Sequence, residues 1–109
     1  MREIDPNKCI DFILENAGKF SQAKGELAQL ECFKSSLKAI MMQKSGEQTI
    51  GAQEREAYAH SEMIALLDGL KAAVEIEEKL KWDITAAELR VEIWRTEQAN
   101  NRAEGKATQ

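Results

Sequence analysis

Apolar residues recur at helical spacing in two long stretches of the chain, separated by a polar segment. In the first stretch they follow one another three or four positions apart from Ile10 to Met41. In the second, steps of four and three run unbroken from Leu66 to Trp94, with only Glu77 polar. Such alternation over about four heptads is typical of a helix that packs along another helix. The pattern therefore predicts two long helices.

The ends of these helices are marked by capping residues. Asp5 before Pro6 is typical of a helix start, and Lys44 before Ser45 and Gly46 is typical of a helix end. Gly18 leaves two alternatives open, a break in the first helix or a weak point within a continuous one. We expect a single domain with a helical arm over 6–45, a connection over 46–60 that includes a short helical piece at 52–59, an arm over 62–102 and a frayed tail over 103–109.

The two apolar stretches complement each other when the chain is folded back near residue 53. Leu37 then lies opposite Leu70, and the large Phe33 lies opposite the small Ala73. The two arms also have nearly equal lengths. The sequence therefore predicts an all-α protein, a long antiparallel helical hairpin with coiled-coil packing.

A second apolar stripe follows the other side of the C-terminal arm. It consists of Trp82, Ala86, Leu89 and Ile93, at steps of four, three and four. By helical phase this stripe points away from the face that packs on the first arm, so one partner helix cannot cover both. We expect these residues to form an oligomer interface, most simply in a two-fold dimer of helical bundles. The alternative is that the first arm breaks at Gly18 and folds over the stripe.

Glu77 is the polar exception in the face between the two arms. We expect it to lie at the edge of that face and to pair with Lys34 or Lys81, which would fix the register of the helices. The alternative is a buried carboxylate that acts as a general acid or base. No second catalytic group converges on it in the sequence, so the structural role is favoured.

Composition and charge narrow the function. With 43% apolar residues the chain is too apolar to be disordered, and its net charge of −4 does not favour a protein that tracks the nucleic-acid backbone. No apolar run is long enough for a membrane span, and the first residues lack the apolar core of a secretory signal. Cys9 and Cys32 have no metal-binding spacing. We therefore expect a cytoplasmic protein with reduced thiols, no cofactor and no membrane partner.

A few residues are weak candidates for ligand or nucleic-acid binding. Tyr58 and His60 lie together in the connection and are candidates for a shallow ligand site. His60 is four residues from Glu56, a spacing that two metal ligands can share, but no third ligand is recognisable. Arg90, Arg95 and Arg102 concentrate positive charge near the C-terminus, although glutamates alternate with them. We expect no catalytic, metal-binding or cofactor-binding residues and therefore no enzymatic activity.

Three segments carry a resemblance to known proteins. Residues 56–60 (EAYAH), 77–82 (EEKLKW) and 94–103 (WRTEQANNRA) resemble a group of small helical proteins of tailed phages and prophages, most of them uncharacterised. The genes of that group tend to lie near those for recombination and single-stranded-DNA handling. The resemblance implies a location in the host-cell cytoplasm and a helper role around DNA metabolism or host defence. It implies no catalytic residues.

These observations favour a non-enzymatic interaction protein, an oligomeric helical adaptor or inhibitor that acts on a DNA-processing or host-defence protein. Two other hypotheses remain. One is an oligomeric sponge for a small signalling nucleotide, which would need lysines or arginines gathered at an interface. The other is a nucleic-acid accessory factor that contacts DNA through the C-terminal arginines, with an affinity that falls steeply as salt rises.

Overall fold

The computed structural model describes residues 3–108 of the 109-residue chain, and side chains as far as residue 106. Within that part the protein is all-α, with helices α1 (Pro6–Lys44), α2 (Ile50–Ala59) and α3 (Ser61–Thr108). The chain forms a helical hairpin, and the predicted fold class is confirmed. The predicted dimeric assembly stays a prediction.

Helix α1 begins as the sequence indicates and runs without interruption. One carboxylate oxygen of Asp5 accepts hydrogen bonds from the backbone N–H groups of Asn7 at 3.0 Å and Lys8 at 3.4 Å, which caps the helix. The helix then passes through Gly18 and ends at Lys44. A glycine inside a helix costs only about 1 kcal/mol, so 39 residues of continuous helix tolerate it. The alternative of a first arm broken at Gly18 is therefore wrong.

The connection between the two long helices spans residues 45–60, and a short helix occupies most of it. The chain reverses over residues 45–49, where the Ser45 hydroxyl donates a hydrogen bond to Glu56 at 2.5 Å. Thr49 then caps α2, its hydroxyl accepting from the backbone N–H of Ala52 at 3.2 Å. Residues 50–59 are therefore helical, so the short helical piece predicted at 52–59 within the 46–60 connection is present and begins two residues earlier.

A single residue separates α2 from α3. His60 adopts an extended backbone, with φ −68° and ψ 138°, and its ring nitrogen Nδ1 accepts a hydrogen bond from the backbone N–H of Glu62 at 3.2 Å. At its other end α3 continues to Thr108. The tail predicted to fray over 103–109 is therefore helical as far as Thr108, since Ala103, Glu104 and Lys106 are good helix formers. Gln109 lies outside the described residues.

The contacts of the chain divide it into two units. The terminal unit comprises Met1–Ser21 and Lys79–Gln109, and the central unit comprises Gln22–Glu78. The terminal unit thus combines the start of α1 with the later part of α3. The central unit combines the rest of α1 with α2 and the start of α3. Each is described below by itself.

The central unit has a well-packed apolar core. Leu37, Met63 and Leu66 are buried together. Partly buried apolar side chains pack around them: Leu30, Met41 and Leu67. Leu37 thus packs with Met63 and Leu66, whereas the predicted register placed it opposite Leu70. The register is shifted because the chain reverses over 45–49 rather than near residue 53.

The helical phase of the buried face of α1 leaves some predicted core residues on the surface. Phe33 and Ile40, both in the apolar pattern of the first stretch, are exposed on α1. Lys34 is half-buried instead. The buried face of α1 in the central unit therefore follows strict steps of three and four through Lys34, and the neighbouring Phe33 lies outside that face.

The terminal unit buries only small side chains. Within residues 3–21 and 79–106, the buried apolar residues are Cys9 and Ala87. Large apolar side chains of the same unit remain exposed, among them Ile10, Leu14 and Trp82. Burial of small groups removes little apolar surface from water, so this unit gains much less from the hydrophobic effect than the central unit does.

Candidate functional site

The stripe predicted on the C-terminal arm lies on the surface of α3 in the terminal unit. Trp82 is 61% exposed, Leu89 58% and Ile93 47%, and Ala86 between them is exposed too. These four residues are called the α3 stripe below. Helical phase explains their position, because the opposite side of α3 is the one that supplies the buried Ala87 and the half-buried Val91. Their role as an interface stays a prediction.

A groove runs beside the α3 stripe, between the start of α1 and α3. Its cavity has a volume of about 430 Å³, with Lys8 and Phe12 on the α1 side and Asp83, Ala86 and Arg90 on the α3 side. The buried residues Cys9 and Ala87 also line it. One member of the stripe, Ala86, is therefore part of the groove wall.

A second cavity of about 370 Å³ extends this groove toward the start of α1. Lys8 and Arg90 line it again, together with Ile4 of the N-terminal segment and Ile93 of the α3 stripe. The stripe and the two cavities thus form one continuous surface within the terminal unit. This surface is apolar along the stripe, and its border carries both cations and the carboxylates of Glu3, Asp5 and Asp83.

Two charged residues of this surface, Asp83 and Arg90, differ in whether they form an ion pair. The Asp83 carboxylate accepts a hydrogen bond from the ammonium group of Lys79 at 2.7 Å, one turn earlier on α3. Arg90 makes no ion pair with any residue of the described part, 3–108. Its guanidinium has five N–H donors, which makes it well suited to bind a carboxylate on an approaching chain.

The three candidate arginines do not form one site. Arg90 lines the grooves described above, whereas Arg95 and Arg102 line a separate surface depression of about 560 Å³ on α3. The guanidinium of Arg95 is already paired with Glu92 at 3.0 Å. One of the glutamates that alternate with these arginines in the sequence, Glu92, thus forms an ion pair with Arg95 in the structure.

Tyr58 and His60, the other two candidates, belong to the central unit. The Tyr58 ring receives two cations, with the Lys38 nitrogen 5.2 Å and the Lys34 nitrogen 6.0 Å from its centroid. Hydrogen bonding to Tyr58 and the negative charge of Glu54, 3.6 Å away, raise the pKa of Lys38 above its usual value. His60 is used to cap α3. Both residues thus have structural roles at the α2 helix.

The structure does not bring Glu77 and Lys34 together. Both are half-buried in the central unit, but Lys34 lies near Tyr58, and no ion pair within residues 3–108 joins it to Glu77. Glu77 therefore occupies the inter-helical face, and among residues 3–108 it forms no ion pair with either predicted partner, Lys34 or Lys81. A half-buried carboxylate in this position loses some hydration and gains no partner in return.

Replacing Glu77 with leucine should therefore raise the free energy of unfolding by up to about 1 kcal/mol, because it buries apolar surface in place of a partly desolvated charge. Urea unfolding followed by circular dichroism measures the change. The matched control is Glu75→Leu, at an exposed position of the same helix, which should change stability by less than about 0.5 kcal/mol. A marked loss of stability in Glu77→Leu alone would contradict this account.

Sequence reasoning missed the residues that α1 contributes to the groove. Lys8 and Cys9 meet Asp83 and Arg90 only because the chain folds back on itself. The available signal was the strict spacing of three and four through Cys9 and Ile13, which continues the buried face of α1 toward the N-terminus. The exposed character of the α3 stripe, in contrast, followed directly from the helical phase.

Nothing further in the described part of the chain indicates a metal site or a membrane span. No three histidine, cysteine or acidic side chains among residues 3–108 are placed to hold a metal ion. None of the helices over those residues is both long and apolar enough to cross a membrane. No family model, curated protein or solved structure matches the chain.

Proposed function

We propose that the protein is a non-enzymatic interaction protein whose exposed helical faces bind other protein chains, a second copy of itself included. The observation that carries the proposal is the exposure of large apolar side chains on all three helices. Contiguous exposed apolar surface on a soluble protein usually marks a binding surface. The exposed side chains are Ile10, Phe12, Leu14, Phe33, Ile40, Ile50, Tyr58, Ile64, Val74, Ile76, Trp82, Leu89 and Ile93.

The α3 stripe is the surface we assign to self-association. Burial of the exposed parts of Trp82, Leu89 and Ile93 against a second copy would contribute roughly half of the about 1.5–3 kcal/mol that full burial of each side chain is worth. The terminal unit, whose own core holds only small residues, has most to gain from such burial.

A second surface, on α1 in the central unit, is the one we assign to a different protein. Phe33 and Ile40 are exposed on the same side of α1, about 10 Å apart along the helix, and this pair is called the ridge below. A ridge of this kind fits an amphipathic helix or an apolar groove on the partner. The resemblance to phage proteins suggests that this partner is a DNA-processing or host-defence protein, on which the chain acts as adaptor or inhibitor.

Affinity capture with matched variants tests the binding of a partner protein. Wild-type bait should retain a specific protein from extracts of the producing cells, and Phe33→Ser/Ile40→Ser bait should lose it. Ile50→Ser bait should retain it, because Ile50 is an exposed apolar residue of a different helix, α2. The purified partner should then bind the double variant at least about tenfold more weakly than wild type, the loss expected for two interface anchors. Equal binding to all three baits, or no specific protein, would overturn this assignment.

A second candidate function is the sequestration of a small signalling nucleotide. The observation that favours it is the presence of two cations, Lys8 and Arg90, on the same groove of the terminal unit. Calorimetric titration with cyclic and linear nucleotides tests it, with Arg90→Gln as the variant expected to lose binding. DNA accessory binding, the remaining hypothesis, predicts an affinity for oligonucleotides that falls steeply as salt rises.

A further inference from the structure

We propose that two copies of the chain pair through the α3 stripe in one antiparallel register, with a two-fold axis between Ala86 and Leu89 and ion pairs between Asp83 and Arg90 of opposite copies. This inference rests on the proposed self-association and adds its orientation, its register and the charges that select them. The observations that carry it are the spacing of the stripe, its exposure and the charges on its flank.

The spacing of the α3 stripe is the same in both directions along the helix. Steps of four, three and four separate Trp82, Ala86, Leu89 and Ile93. When a second copy runs antiparallel about an axis midway along the stripe, Trp82 faces the partner's Ile93 and Ala86 faces the partner's Leu89. Each layer then combines complementary side chains, and the small Ala86 makes room for the larger leucine. A two-fold interface requires such self-complementarity.

The charges beside the stripe favour the same arrangement. Asp83 follows Trp82 and Arg90 follows Leu89, so both lie on one flank of the stripe, the flank that borders the groove. In an antiparallel pair, this flank meets the same flank of the other copy. Asp83 therefore lies opposite the partner's Arg90, and Arg90 lies opposite the partner's Asp83. The symmetry produces two identical pairs of opposite charge.

A parallel pair through the same stripe would place like charges together. In that arrangement the flank with Asp83 meets the opposite flank of the partner's stripe. Glu78 then approaches the partner's Asp83, and Glu92 approaches the partner's Glu97. The two-fold axis repeats each contact. Four repulsive contacts between carboxylates would oppose the parallel dimer, whereas the antiparallel register has two attractive pairs. The sequence around the stripe thus selects the orientation.

The structure leaves both charged groups available for these pairs. Asp83 contacts Lys79 through one carboxylate oxygen, and a carboxylate accepts several hydrogen bonds. Arg90 forms no ion pair within residues 3–108. Phe12 and Lys8 of α1 line the same groove, so the flank of an approaching copy also meets α1. The result is an arrangement of four helices, two from each copy, that covers the α3 stripe.

Charge reversal at the two positions tests the register. Asp83→Arg and Arg90→Asp, each alone, place like charges opposite each other at both ends of the interface. Each should raise the dissociation constant of the dimer by at least about tenfold. The double variant Asp83→Arg/Arg90→Asp restores opposite charges and should dimerise within about threefold of wild type. Sedimentation velocity at several micromolar concentrations gives the constants, and circular dichroism checks the helix content of each variant.

Mixing the two single variants gives the sharpest result. A heterodimer of Asp83→Arg with Arg90→Asp carries opposite charges at both ends, so equimolar mixing should restore dimers that neither variant forms alone. Glu88→Arg is the matched control: it makes the same charge change on an exposed residue of α3 away from the stripe and should leave the constant unchanged. A mixture that stays monomeric, while wild type dimerises, overturns the register and leaves the self-association intact. A monomeric wild type overturns both.

Discussion

Replacing Met63 with alanine should lower the free energy of unfolding by about 2–5 kcal/mol. Met63 is 0% exposed and is the largest fully buried side chain among the described residues. It packs with Leu37 and Leu66, which come from the two helices that form the core of the central unit. Alanine in its place leaves a cavity between α1 and α3, because the helix backbones cannot move together enough to fill it.

The matched control for this prediction is the next residue. Ile64→Ala removes a similar amount of apolar side chain, but Ile64 is 50% exposed, so the loss should stay below about 1 kcal/mol. Urea unfolding at one protein concentration, followed by circular dichroism, measures both variants. Equal losses in the two variants would show that the core does not lie where Met63 is buried.

The later part of the chain was predictable because its pattern is unambiguous. Every residue of the stripe from Leu66 to Trp94 is buried or half-buried in the structure, Glu77 included. In a regular helix, sequence position determines which side a residue faces, and only one series of alternating steps of three and four stays apolar, apart from Glu77, over the full length from Leu66 to Trp94. The same argument placed Trp82 and Leu89 on the surface.

The first arm was harder, because its apolar residues fit two overlapping series. Leu30, Lys34 and Leu37 follow the strict alternation and face the core, yet the apolar Phe33 is the more conspicuous neighbour in the sequence. A lysine can occupy such a position because its aliphatic stem packs while its ammonium group reaches a partner, here the Tyr58 ring. A prediction from hydrophobicity alone therefore placed Phe33 on the buried face of α1, where the structure has Lys34.

The separation of α2 from α3 depends on one side chain. His60 both ends α2 and caps α3 through its ring nitrogen, whereas the usual signals for a helix break are glycine, proline or a serine-type cap. Histidine is not among the preferred capping residues, and the sequence marks the next residue, Ser61, as the cap of the second arm. The register of the hairpin follows from a different detail, the reversal of the chain over 45–49.

The self-association of the chain gives the last prediction, and it concerns molecular mass. Light scattering at micromolar concentration should find wild type near twice the chain mass of 12.3 kDa and Leu89→Glu near the chain mass itself. Leu89 lies in the middle of the α3 stripe, so a glutamate there would have to be buried against the apolar residues of a second copy. Burial of an unpaired carboxylate costs several kcal/mol, which is more than a small helical interface can offset.

The control, Ile64→Glu, places the same negative charge on an apolar residue of similar exposure in the central unit. Ile64→Glu changes α3 at a position that is 50% exposed, against 58% for Leu89, and should leave the mass at that of the dimer. Because Leu89 is exposed within the chain, Leu89→Glu should keep its helix content while losing its partner. Dimeric Leu89→Glu would show that copies meet through another face, and monomeric Ile64→Glu would place the contact in the central unit. A change of mass without a change of fold is therefore the result that separates an interface residue from a core residue.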